Sequence, residues 1–179
     1  QYANIPYPDQ EVIDSITYLA QELRDNTNVL LDCYNEAHIE PFLLKEPKER
    51  WDEYVASLKA TIDAVREVNP DVIVTVTGLH WGGDFRNQEL LNLNTLYANI
   101  LYRVDDNPTP WRDTDASPEY LRSFRNWWMY SLLDGKHAVM FGEFNAPGGS
   151  PEWIGTDEEY YWMTESLSIA KQYDLSWNT

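Results

Sequence analysis

The chain has 179 residues, 30 acidic and 13 basic, for a formal net charge of -17. Such a surface repels phosphate backbones, which argues against nucleic acid and anionic membrane as partners and suits a neutral ligand. A composition of 43% hydrophobic and 14% aromatic residues excludes general disorder, and no apolar run of about 18 residues is present to cross a bilayer. The length fits one domain. Cys33 is the single cysteine, so no internal disulfide can form, and its apolar surroundings predict a small buried side chain.

Helices and short apolar strands alternate along the chain. From Asp9 to Asp25, Val12, Ile13, Ile16, Leu19, Ala20 and Leu23 recur at helical spacing behind Asp9 as N-cap. Val29 to Tyr34 reads as a buried parallel strand. Pro47 opens a second helix carrying Trp51, Tyr54, Val55, Leu58, Ile62 and Val65, which Asn69-Pro70 ends. Asp71 to Thr77 is rich in β-branched residues and predicts a second strand. Ala98 to Val104 predicts a third. Ser117-Pro118 starts a helix with Phe124, Trp127, Trp128 and Leu132 on it, and Gly135 stands where its C-terminal cap belongs. Ala138 to Phe141 is a fourth strand, and a helix from about Asp157 to Gln172 leads to a fifth at Leu175-Ser176-Trp177. The βα order predicts a parallel sheet with helices outside it, either doubly wound or part of a (β/α)8 barrel. No Gly-rich phosphate loop follows a strand, so nucleotide binding has no support.

In parallel α/β folds, reactive groups collect where strands end. Glu36 ends the first strand and Glu143 the fourth. Retaining cleavage of a glycosidic bond needs two carboxyl groups about 5–5.5 Å apart, one protonated and one ionised. Position alone leaves the catalytic and the incidental readings open, because 30 acidic residues also place carboxylates at strand ends by chance.

The context of the two residues narrows the choice. An apolar strand ending in Asn35-Glu36, followed after two intervening strands by one ending in Phe141-Gly142-Glu143-Phe144, resembles glycoside hydrolase family 5. The run Tyr18 to Asp32 is similar to the family's approach to its fourth strand. The resemblance implies an α/β fold of partial TIM-barrel type: strands four to eight with their helices, the N-terminal strands missing, and residues 1–179 as one catalytic-domain fragment. It implies Glu36 as acid/base, Glu143 as nucleophile and Asn35 as the group bonded to the sugar 2-hydroxyl. Tyr102 matches an aromatic position on the sixth strand, and Trp177 a tryptophan that the eighth strand presents to the sugar. Three departures stand out. Ala37 replaces the usual Pro, Tyr102-Arg103-Val104-Asp105-Asp106-Asn107 lacks the usual sixth-strand His, and nothing supplies the arginine and histidine of the first three strands.

Sugar rings stack their C–H faces on flat side chains, and the chain has eight Trp. Trp51, Trp127 and Trp128 have helical spacing and are expected in the core. Trp81, in the loop His80-Trp81-Gly82-Gly83-Asp84 after the second strand, is a candidate sugar contact, with Trp111 and Trp153 as candidates for outer subsites. His38, His80 and His137 show no metal-ligand spacing; no metal or cofactor is expected, and Asp105-Asp106 reads as a solvated loop rather than a calcium site. The expected function is retaining hydrolysis of a β-linked glucan or mannan outside the cell. The alternative is an inactive carbohydrate-binding or assembly fragment of such a barrel. The absence of a Gly-x-Ser-x-Gly elbow removes a serine hydrolase. The sheet should be an open arc that leaves Leu30, Val74 and Val76 short of covering, so stability should require further strands or self-association.

Overall fold

The computed structural model describes residues 7–37, 48–106, 126, 129–144 and 155–177. Among the described residues five strands form one parallel sheet: β1 (Leu30–Asp32), β2 (Ile73–Val76), β3 (Ile100–Asp106), β4 (Val139–Phe144) and β5 (Ser176–Trp177). Their order in space is their order in the chain, and every pairing is parallel. This is the open arc expected of a partial (β/α)8 barrel.

Helix α1 (Gln10–Glu22) starts where the Asp9 carboxylate accepts the Val12 N–H at 3.0 Å, satisfying one of the free amides of the first turn. Helix α2 (Lys48–Val68) buries Trp51, Tyr54, Val55, Leu58, Ile62 and Val65 along one side, with Trp51 edge-on to Tyr54. Asn69 ends it and donates from its side chain to the Ala20 carbonyl, tying the two helix ends together. Of two short helices, α3 (Gln88–Leu91) offers the Leu90 and Leu91 carbonyls to the Tyr102 hydroxyl of β3, and α4 (Leu93–Leu96) packs against the same strand; α5 (Asp157–Gln172) precedes β5. Most of the helix expected from Ser117 lies outside the described residues, Trp127 and Trp128 among them; its end is a 3-10 turn, Tyr130–Leu132, and Gly135 has a φ of +75°.

The two faces of the sheet differ in covering. Leu31, Val74, Val76, Tyr102, Val104, Val139 and Phe141 share the helix-covered face by register and alternation, and all are buried. Val74 and Val76 therefore correct the expectation that they lie uncovered. The open face begins instead with Leu30, 47% exposed, and Ile73, 41% exposed, its partner in register. Further along, the open face turns polar, with Asp32 and Thr75 followed by Arg103, Asp105 and Glu143.

Strand β3 runs two residues further than Ala98 to Val104 allows. Asp105 and Asp106 lie inside it and are buried, not in a solvated loop. Each has a partner that offsets the cost of burial: Arg103 for Asp105, and on the other face the Ser166 hydroxyl of α5, 2.6 Å from Asp106.

Candidate active site

The polar end of the open face is organised around Arg103. Its Nη1 donates to Asp32 Oδ2 at 2.6 Å. Nε and Nη2 grip the Asp105 carboxylate at 3.0 and 2.9 Å. The same Nη2 lies 2.6 Å from Asn35 Oδ1 and 3.0 Å from Glu143 Oε1. Burial works against the Arg103 charge, but Asp32, Asp105 and Glu143 outweigh it and hold its pKa above the ordinary guanidinium range. Asp32 is held in turn by the Thr75 hydroxyl at 2.6 Å.

Asp105 has no exposed side-chain surface. Burial raises its pKa from 3.8 to about 7, with Arg103 pulling down and the Glu143 and Asp32 charges pushing up. One guanidinium thus serves three carboxyl groups, and the buried one titrates near neutrality.

Gly142 explains the glycine in Phe141-Gly142-Glu143. A Cβ at that position would overlap Arg103 Nε and the side-chain carbons beside it. The Arg103 side chain crosses β4 where only glycine leaves room.

Glu36 and Trp81 belong to loops that are laced together. The Tyr34 carbonyl accepts from the Thr77 hydroxyl at 3.0 Å, and the Ala37 carbonyl from the Trp81 N–H at 3.0 Å. Glu36 is half-buried with φ +47°, a left-handed conformation that costs a non-glycine residue energy and recurs at functional sites. His80 and Trp81 also have positive φ, at 55° and 57°. His80 is buried near Asp84, with its Nε2 3.8 Å from Oδ2, and burial lowers its pKa to about 4. Trp81 is half-buried beside the Glu36 loop.

Asn35 and Glu143 are thus brought to one guanidinium, with Glu36 next to Asn35 and Trp81 bonded to the neighbouring Ala37. Tyr102 is corrected: it has no exposed surface, and its hydroxyl donates to the Leu91 carbonyl at 2.7 Å on the helix-covered face. Strand alternation turns it away from Arg103, so it is a core residue. Trp177 is 53% exposed but in register with Phe141, and shares the helix-covered face instead of the face of Glu143. Trp111, Trp153 and His38 lie outside the described residues. His137 is structural, between Asp134 and the Leu91 carbonyl and edge-on to Tyr102. Among the described residues no group of three or more His, Cys, Asp or Glu side chains could hold a metal ion.

The sequence reading missed Arg103 and Asp105 as site residues. Their signal was available: charged residues two apart inside a strand share a face.

Comparison with known proteins agrees with this architecture. The family model described as cellulase, glycosyl hydrolase family 5, matches residues 2–179. A β-glucanase from Saccharophagus degradans, solved with cellotetraose, superposes with a TM-score of 0.69 at 15% identity, over 94% of this chain and 50% of that one. An endoglucanase from Thermotoga maritima gives 0.65 at 16% identity, over 99% and 61%; the same organism's enzyme has been solved with mannotriose. The major endoglucanase of Xanthomonas campestris pv. campestris gives 0.64 at 15%, over 97% and 56%. The chain therefore spans half to three-fifths of the length of these structures. No curated protein matches it.

Proposed function

The chain belongs to glycosyl hydrolase family 5, and from that premise we propose that it carries the catalytic residues of a retaining glycosidase acting on a β-linked glucan or mannan. Glu36 gives a proton to the glycosidic oxygen as Glu143 attacks the anomeric carbon; the C–O bond breaks, the leaving sugar departs, and a glycosyl ester forms on Glu143. Glu36, now ionised, takes a proton from water as the water oxygen attacks the same carbon and releases Glu143. Asn35 donates to the sugar 2-hydroxyl, and Trp81 offers a ring face to the sugar. The action is placed outside the cell, where such polymers are met.

One observation carries this reading. Arg103 Nη2 is within hydrogen-bonding distance of both Asn35 and Glu143, so the ends of β1 and β4 stand no further apart than one guanidinium allows. That closeness suits the short carboxyl separation of double displacement. The test is reducing-sugar release from soluble β-glucan and β-mannan, with anomeric configuration followed by NMR. Release with retention that disappears in Glu143→Ala supports the reading; release with inversion refutes it.

A second reading is favoured by the exposure of Leu30 and Ile73: a carbohydrate-binding or assembly piece that needs further strands. Binding of cello-oligosaccharide without any release would select it.

A further inference from the structure

We propose that Arg103 is a positioning residue that sets the orientation of the Asn35 amide, so that its NH2 group faces a sugar hydroxyl above Glu143. The inference rests on the glycosidase reading and assigns within it a role that neither Glu36 nor Glu143 fills.

The chemistry of the donors forces the orientation. A guanidinium has only donors, so the Asn35 atom 2.6 Å from Nη2 must be the carbonyl oxygen. The Asn35 NH2 then points away from Arg103. Asn35 is exposed, and without this contact its amide could rotate to present oxygen instead. Nη2 has two hydrogens but three oxygens within 3.0 Å, on Asn35, Asp105 and Glu143. The contacts share its hydrogens, and the guanidinium is kept in place by Asp32 and by Asp105 through Nε. A planar fork is required here. A lysine would supply charge without fixed directions. Gly142 is part of the same device, since any side chain there would displace Arg103.

The test compares the parent protein with Arg103→Lys, which keeps the charge, and Gly142→Ala, which dislodges the guanidinium and leaves every charged group intact. The first measurement is the NMR signal of the Asn35 side-chain NH2, assigned by its loss in Asn35→Asp; it requires no turnover. The second is kcat/KM for an aryl β-cellobioside against its 2-deoxy counterpart. Both variants should move the Asn35 signals toward those of a freely solvated amide. In both, the preference for the 2-hydroxyl substrate should fall about tenfold, the worth of one good hydrogen bond. Unmoved Asn35 signals in both variants would overturn the proposal, as would an unchanged 2-hydroxyl preference. Signals that move in both variants while the parent cleaves neither substrate would support the positioning role and sink the glycosidase reading, so the two failures are distinguishable.

Discussion

Asp105 and Glu143 stand opposite each other across β3 and β4, immediately after a register shift that leaves Gly142 out of the ladder. In a regular ladder Gly142 would pair with Asp105, and alternation would turn Glu143 to the helix-covered face. The irregularity therefore aims the carboxylate, and the glycine that creates it also admits Arg103.

Glu143→Ala should abolish turnover of an activated aryl glycoside, and added azide should restore cleavage with inverted product. The azide occupies the space of the lost carboxylate and attacks directly. Undiminished activity in the variant would remove Glu143 from the nucleophile's role.

For Glu36→Gln, poor leaving groups should suffer far more than activated ones, because only they need a proton. Rates on a series of aryl glycosides test this. Equal slowing across the series contradicts the acid/base assignment.

Asp105 predicts how stability depends on pH. Its folded pKa, about 7, lies above the ordinary 3.8, so the fold binds a proton that the unfolded chain releases between those values. The contribution is complete below pH 3.8 and is lost as pH rises through 7. Urea unfolding at pH 5 and pH 8 should show a loss of roughly 1–3 kcal/mol that Asp105→Asn removes. An unchanged slope in the variant would argue against a buried protonated carboxyl.

His80 works in the opposite direction. Burial holds its folded pKa at about 4, below the ordinary 6.5, so its contribution is present above pH 6.5 and lost as pH falls through 4. Acid unfolding of the parent should steepen in this window, and His80→Gln should flatten it. An identical acid limb in the two proteins would contradict this.

Leu30 and Ile73 predict association. Each large apolar side chain left in water forgoes roughly 1.5–3 kcal/mol of burial, a sizeable share of a net stability of about 5–15 kcal/mol. The 179-residue chain should self-associate in sedimentation velocity, and Leu30→Thr with Ile73→Thr should weaken the association. A stable monomer at high concentration would overturn it.

The sequence made the sheet legible because strands such as Asp71 to Thr77 and the capped helix after Asp9 announce themselves by pattern. Asn35, Glu36, Glu143 and Trp81 stand out as candidates from motif and loop position. Tyr102 reads as a sugar contact in the sequence because an aromatic in a strand looks the same whether it faces sugar or core; only the alternation counted from Arg103 separates the two. The two Asp at the end of β3 read as solvated loop in the sequence because buried carboxylates are rare without partners. The partner of Asp105, Arg103, stands two residues away on the same strand face and is readable from spacing, whereas Ser166, sixty residues on from Asp106, becomes visible only when the chain is folded.

The loop after β2 also bears on how this scaffold can be re-engineered. Gly78 abuts the Asp84 backbone so closely that a Cβ would collide with it, and a Cβ on Gly82 would come within 2.5 Å of Asp105 Oδ2. Asp84 is meanwhile clamped by Arg86. The segment carrying Trp81 is therefore no free cassette. A grafted loop meant to change sugar preference would have to keep both glycines and the Asp84–Arg86 pair, leaving the Trp81 side chain as the position open to variation.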